Sequence, residues 1–74
     1  MNIEYIGLRD ANGPLIVLDG VTDACYEELV EITVGENDRR LGRIIKLEGD
    51  KAVIQVFEGT ERISLSHTRT RLPG

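Results

Sequence analysis

Short stretches of alternating apolar and polar residues run through this sequence, and turn-forming residues separate them. The densest stretch is residues 51–57, where Ala52, Ile54 and Val56 make one face that is wholly apolar. The opposite face alternates between polar and apolar side chains. β-Branched and aromatic residues suit a pleated, half-buried surface. We therefore predict a strand inside a sheet, with its Ala-Ile-Val face towards the core.

The same criteria predict five further strands. They are expected at residues 1–9, 15–18, 29–34, 39–48 and 66–72. Strong turn signals separate them, notably residues 10–14 with their Asn-Gly-Pro sequence, the Gly35–Asp38 turn and the Gly49-Asp50 pair. In the strand at 39–48, Leu41, Ile45 and Leu47 share one face, and Gly42 is expected to mark a bend or a bulge.

Six short strands without a helix longer than one turn predict an all-β fold. The expected architecture is a small closed six-stranded antiparallel Greek-key-like barrel that occupies residues 1–74 as a single domain. Closure of the barrel removes the exposed strand edges that would invite aggregation.

Composition excludes several classes of function. The net charge is -4, with 13 acids against 9 Lys and Arg, which argues against general nucleic-acid binding. No apolar run approaches the roughly 20 residues that span a bilayer, and the first residues do not resemble a signal peptide. The single cysteine, Cys25, rules out an internal disulfide and fits a reducing compartment. We expect no cofactor and no metal.

Candidate catalytic and metal-binding residues are sparse. The acids between Asp19 and Glu31 match no calcium loop, so we interpret them as a solvated face. His67 stands among Ser and Thr residues without a nucleophile-elbow sequence, which argues against a hydrolase. Surface or hydrogen-bonded histidine is the favoured interpretation.

Taken together, the strongest stretches resemble the N-terminal β-barrel domain of the B (non-catalytic, regulatory) chain of V-type and archaeal A-type rotary ATPases. The resemblance rests on their order and spacing: Gly13-Pro14-Leu15, Tyr26 to Ile32, Arg39 to Ile44, Gly49 to Thr60, and Thr68 to Arg71. It covers roughly residues 5–74. One departure follows Gly59-Thr60, where the family usually has Ser-Gly and this chain has Glu61-Arg62.

The resemblance implies a structural role. In that family the barrel joins a crown of barrels that holds the hexameric head together, in an enzyme that moves protons or sodium ions. The implied partners are neighbouring catalytic A chains, and the implied location is cytoplasmic, peripheral to the membrane. This sequence has no Gly-x-x-x-x-Gly-Lys-Ser/Thr motif, so we expect neither ATP binding nor catalysis by the chain itself.

The arginines are the most interesting candidate site. A subunit contact is implied, in which they meet acids of a neighbouring barrel; the candidate residues are Arg39, Arg40, Arg43, Arg69, Arg71, Glu31 and Glu58. Two alternatives stay open for these arginines and Arg62: a solvated or ion-paired surface, or nucleic-acid binding by basic strands of a small barrel. The alternative function is accordingly a stand-alone small barrel that binds nucleic acid or protein.

Overall fold

The structure, a computed structural model, describes residues 3–22 and 24–72. These residues form seven strands: β1 (Ile3–Ile6), β2 (Asp10–Asn12), β3 (Leu15–Leu18), β4 (Leu29–Thr33), β5 (Arg39–Glu48), β6 (Lys51–Val56) and β7 (Arg69–Leu72). The predictions for residues 1, 2, 23, 73 and 74 lie outside the described residues. The all-β class predicted from the hydrophobic pattern is confirmed.

All pairings in the sheet are antiparallel, and the strand order is β1-β7-β4-β5-β6-β3-β2. The outermost strands of this order, β1 and β2, are consecutive in the chain and are joined by residues 7–9. The two ends of the sheet are therefore brought together by one short connection, and the sheet curls into a barrel.

The described residues form seven strands instead of six, because β1 is shorter than predicted and residues predicted as a turn form β2. The chain turns at Gly7, which has a φ of 85°, where a strand was predicted to continue to residue 9. Residues Asp10–Asn12, predicted as part of a turn, instead pair with Leu15–Val17 across a tight turn at Gly13-Pro14. Residues 3–12 thus contribute one strand, β1 or β2, to each end of the sheet.

The core consists of the inward-facing residues of the strands. Those with at most 2% exposure are Ile16, Leu18, Val30, Ile32, Ile44, Ala52, Ile54, Val56 and Leu72. The predicted Ala-Ile-Val face of β6 is confirmed as part of this core. Burial of each of its larger side chains stabilises the fold by roughly 1.5–3 kcal/mol.

The bend predicted at Gly42 is wrong, because the register shift in β5 lies between Ile44 and Lys46. Gly42 pairs regularly with Val30 on one side and Val56 on the other. A Cβ atom on Gly42 would lie 2.7 Å from the carbonyl oxygen of Gln55. Glycine is needed here because two neighbouring strands and the core leave no room for a side chain.

The segment after β6, where the sequence departs from the resembled family, contains a residue with a positive φ. Arg62 adopts a φ of 65°, in the left-handed region that glycine adopts most readily. It occupies the position where the resembled family has the Gly of its Ser-Gly pair. A non-glycine residue in this conformation carries backbone strain.

Two buried threonines differ in how their hydroxyls are satisfied. The Thr68 Oγ1 accepts a hydrogen bond from the Ser64 N–H at 3.1 Å. The Thr70 Oγ1 has no hydrogen-bond partner among the residues that the structure describes. Both side chains are fully buried, so the unsatisfied hydroxyl of Thr70 carries a desolvation cost that Thr68 avoids.

Gly42→Ala is expected to destabilise the barrel by about 1–3 kcal/mol, because the added methyl group meets backbone and core atoms. The matched control is Gly35→Ala, since no atom lies within 4 Å of the place that a Cβ on Gly35 would take and its φ is not left-handed. We expect the control to stay within about 0.5 kcal/mol of the wild type. Urea unfolding of both variants measures the difference, and equal stabilities would contradict the close approach at Gly42.

Thr70→Val is expected to raise the free energy of unfolding by about 1 kcal/mol, because it removes an unsatisfied buried hydroxyl while keeping the side-chain shape. Thr68→Val is the comparison, and it is expected to lower stability by a similar amount because the Ser64 N–H loses its acceptor. Thermal unfolding monitored by circular dichroism checks both. Destabilisation by Thr70→Val would show that its hydroxyl is satisfied.

Candidate interaction surface

Arg40 is the one candidate arginine whose side chain faces the barrel interior, and only 5% of it is exposed. Its Nε and Nη2 donate to the two carboxylate oxygens of Asp38 at 3.1 and 2.8 Å. Its Nη1 donates to the carbonyl oxygen of Gly59 at 2.9 Å. These bonds satisfy the guanidinium within the chain, so Arg40 ties the β4–β5 turn to the segment that follows β6.

The bond between Arg40 and Asp38 changes the acidity of the carboxyl group. The hydrogen bond from the Arg40 guanidinium, supported by the charges of Arg40 and Arg62, lowers the pKa of Asp38 below its ordinary value. The Arg62 Nη2 lies 3.8 Å from the same carboxylate. Asp38 is therefore held ionised in the folded protein over a wider pH range than in the unfolded chain.

The segment after β6 is also attached on its other side. The Thr60 hydroxyl donates to the carbonyl oxygen of Gly13, and the Val56 N–H donates to the carbonyl oxygen of Pro14 at 2.7 Å. The predicted Gly13-Pro14 turn thus contacts the end of the central strand. The segment after β6 is therefore hydrogen-bonded both to Arg40 on β5 and to the Gly13-Pro14 turn.

Glu31 and Arg71 lie side by side on the outer face. They are direct cross-strand partners on β4 and β7, and the Arg71 Nη2 lies 3.2 Å from a carboxylate oxygen of Glu31. Both side chains are partly exposed. The structure therefore brings these two candidates together within one chain, where their charges offset each other.

Arg43 lies at the centre of an exposed group of apolar side chains. Leu29 is its cross-strand partner on β4, and the Phe57 ring lies 5.9 Å below its guanidinium carbon. The Phe57 N–H donates to the carbonyl oxygen of Leu41, which places Phe57 beside β5. Leu29, Leu41 and Phe57 are each more than half exposed. We call these three residues the apolar patch.

Arg39 and Arg69 lie on either side of Thr33, one on β5 and the other on β7. All three residues face outwards from the barrel, and both arginines are exposed. Within residues 3–22 and 24–72, neither arginine lies within ion-pair distance of an acid. They border a groove of about 350 Å³ that is also lined by His67 and by residues 34–36.

Glu58, the last candidate, is exposed in the segment after β6 and forms no salt bridge with any described residue. It lies apart from the pairing of Glu31 with Arg71. The seven candidates therefore divide into an internal tie, an outer ion pair, an arginine beside the apolar patch, two arginines at the groove and one separate acid.

The described residues show little sign of catalytic chemistry. His67 Nδ1 lies 2.9 Å from the Ser66 hydroxyl and 3.3 Å from the Ser64 hydroxyl on the surface, and no carboxylate hydrogen-bonds this ring in residues 3–22 and 24–72. The same part of the chain has no group of three or more His, Cys, Asp or Glu side chains placed to hold a metal ion. None of its segments forms a helix long and apolar enough to cross a membrane.

Sequence reasoning missed the apolar patch. It placed Leu41, Ile45 and Leu47 on one face without identifying the buried face. In β5 the inward positions are Arg40, Gly42 and Ile44, so Leu41 faces outwards. An inward arginine and an inward glycine disguised the alternation of this strand. The useful signal was β4, where Val30 and Ile32 face inwards and leave Leu29 on the outer face.

Comparison with known proteins places this geometry in context. The family model described as "ATP synthase alpha/beta family, beta-barrel domain" matches residues 9–68. The B chain of the A-type ATP synthase of Cenarchaeum symbiosum is 42% identical over 97% of this chain. The V-type ATP synthase beta chain of Halothermothrix orenii is 44% identical over 92% of it. The V-type ATP synthase beta chain 2 of Clostridium tetani is 45% identical over its whole length.

These relatives are much longer than the chain. The matched region makes up 16%, 15% and 16% of the three proteins, respectively. The chain thus spans about one sixth of the length of the relatives it matches.

The tie between Arg40 and Asp38 predicts a pH dependence. Since the folded pKa of Asp38 is lowered, its stabilising effect is fully present above the unfolded pKa of about 3.9 and is lost as the pH falls through the folded pKa. The stability difference between wild type and Asp38→Asn should therefore be constant above about pH 5 and shrink on further acidification. Urea unfolding at a series of pH values measures it. A difference that stays constant down to acid unfolding would contradict the lowered pKa.

Proposed function

The chain belongs to the ATP synthase alpha/beta family as its beta-barrel domain, and we propose that it works as an assembly module of the B chain of a V-type or A-type ATP synthase. In this proposal residues 1–74 form one barrel that stands in a crown of neighbouring barrels. The crown holds the hexameric head of a proton- or sodium-translocating rotary ATPase together. The contribution of the barrel is structural, and the chain itself neither binds nor hydrolyses ATP.

The observation that carries the proposal is the apolar patch on the outer face of a rigid barrel. Three large apolar side chains, Leu29, Leu41 and Phe57, lie together in solvent while the interior is already filled. Contiguous apolar side chains on a surface are typical of protein contacts. The Arg43 guanidinium lies over the Phe57 ring. Arginine is enriched among the interface residues that contribute most of the binding energy.

The proposed partners are the catalytic A chains on either side of this B chain. The apolar patch supplies the buried area of the contact, and the outward arginines Arg39, Arg43 and Arg69 supply charge complementarity to acids of the neighbour. Arg71 and Glu31 support the contact from within the chain, because each holds the other in place. The proposed location is the cytoplasmic head, peripheral to the membrane.

Leu41→Glu in the complete B chain is expected to weaken association with the neighbouring A chains by at least about tenfold, because a buried unpaired carboxylate costs several kcal/mol. The side chain is 55% exposed in the barrel alone, so the variant should fold normally. Titration of the B chain into the A chain, followed by native mass spectrometry of the assembled head, measures the effect.

Leu65→Glu is the matched control. Leu65 is 50% exposed, lies in the segment before β7 and borders a hollow with Tyr5 and Leu8, away from the apolar patch. Normal assembly of this control beside defective assembly of Leu41→Glu supports the proposal. If a folded Leu41→Glu variant assembles as well as the wild type, the patch is not a subunit contact.

A further inference from the structure

The groove between Arg39 and Arg69 carries positive charge that the rest of the chain leaves unbalanced. Three outward residues form one row across neighbouring strands, because Thr33 is the cross-strand partner of both arginines. Neighbouring strands lie about 4.8 Å apart, which places the two arginine backbones roughly 10 Å apart with a neutral threonine between them. Two long guanidinium side chains at this spacing are able to approach the same small anion.

Arg9 and Arg71, two other exposed arginines, differ in this respect. Arg9 pairs with Asp19 at 2.9 Å and Arg71 with Glu31 at 3.2 Å, so each has its counter-charge within the chain. The hollow of about 420 Å³ beside Arg9 is thus already neutralised by Asp19, which lines it as well. The groove at Arg39 and Arg69 has no such ion pair among the described residues, in a chain whose net charge is -4.

From this arrangement we infer that the groove is a binding site for a carboxylate: the side chain of an Asp or Glu that a neighbouring protein of the assembly inserts between Arg39 and Arg69. Guanidinium groups match the planar carboxylate with paired, charge-assisted hydrogen bonds. Thr33 lies between the two arginines and lines the groove, and its hydroxyl is an additional donor type there. The inference rests on the proposed function, since the acid belongs to a protein that packs against this barrel.

The lining of the groove favours a carboxylate over a phosphate. Phosphate sites commonly use free backbone N–H groups in turns or at helix N-termini. Here the N–H groups of Val34 and Gly35 both donate to the carbonyl oxygen of Asp38. Glu36 also lines the groove, and its negative charge opposes a doubly charged ligand more than a singly charged one.

The neighbouring side chains suit an acidic residue carried on a protein. Ile6, the cross-strand partner of Arg69, is 69% exposed and offers an apolar surface beside the groove. The methylene groups of a Glu or Asp pack against such a surface while the carboxylate reaches the guanidiniums. His67 lines the same groove and adds a further hydrogen-bonding ring.

The first experiment tests the chemistry of the groove in this chain alone. The probe is N-acetyl-glutamate, with neutral N-acetyl-glutamine as the matched ligand and inorganic phosphate as the competing anion. We expect N-acetyl-glutamate to shift the Nε–Hε resonances of Arg39 and Arg69 saturably in the millimolar range, as measured by NMR, and N-acetyl-glutamine to leave them unchanged. Tighter binding of phosphate, or equal shifts with both amino acids, would overturn the carboxylate assignment.

Two variants localise the response. The double variant Arg39→Gln/Arg69→Gln is expected to lose the shifts of neighbouring backbone amides, including that of Thr33. Arg71→Gln is expected to keep them, because Arg71 lies on the same strand and the same face but is paired with Glu31. A double variant that folds and still gives the wild-type response, or an Arg71→Gln variant that loses it, would overturn the site.

The second experiment identifies the acid in the assembled head. Arg69→Lys places a primary amine at the groove, and carbodiimide then joins it to a carboxylate in direct contact. We expect a crosslink from position 69 to an Asp or Glu of a neighbouring protein, at a yield several-fold above that from Arg71→Lys. Mass spectrometry locates it.

This design separates the two proposals. If the head assembles and position 69 gives no more intersubunit crosslink than position 71, the groove inference fails and the assembly role stands. If the complete B chain forms no complex with its neighbours, the assembly role itself fails, and the NMR titration of the isolated chain still decides whether the groove binds a carboxylate.

Discussion

The limited space inside the barrel is the constraint on which the rest of the structure depends. Gly42 shows it most directly, because a single added carbon atom would lie 2.7 Å from the Gln55 carbonyl oxygen and 2.8 Å from the Ile54 side chain. The interior is filled by one layer of branched side chains from every part of the sheet. Few positions on the inner face are free to serve a partner, so binding must use the outer face.

Arg40 is a charged residue on the inner face, and it links that face to segments at the surface. It takes an inward position on β5, yet it serves two backbone segments that carry the outer face: the turn at Asp38 and the segment at Gly59. A buried charge is tolerated because all three of its donor nitrogens have partners. The apolar patch depends on this tie, since Phe57 lies between β6 and the segment that Arg40 holds.

Much of the fold was predictable from the sequence, and the exceptions have physical causes. The alternation in β6 predicted the correct inner face, because only apolar residues of that strand face inwards, and the same holds for the observed β4. In β5 the alternation did not identify the inner face, since Arg40 and Gly42 face inwards and Leu41 outwards. The early end of β1 before Gly7 depends on hydrogen bonds from Gly7 and Leu8 to Thr68 and Leu65, which are distant in sequence. The arginines were identified as candidates, but only pairing across strands separates the neutralised Arg71 from Arg69.

In the proposed assembly, two kinds of interaction on the outer face share the recognition of a neighbour. The apolar patch favours association with any surface that covers it, because the hydrophobic effect is not directional. The paired arginines at the groove favour only an approach that brings a carboxylate to them, because hydrogen bonds between guanidinium and carboxylate have a defined geometry. The first contributes affinity and the second fixes orientation and discriminates between partners. The proposed ring of barrels needs both, because charge complementarity between neighbours suppresses association with wrong partners.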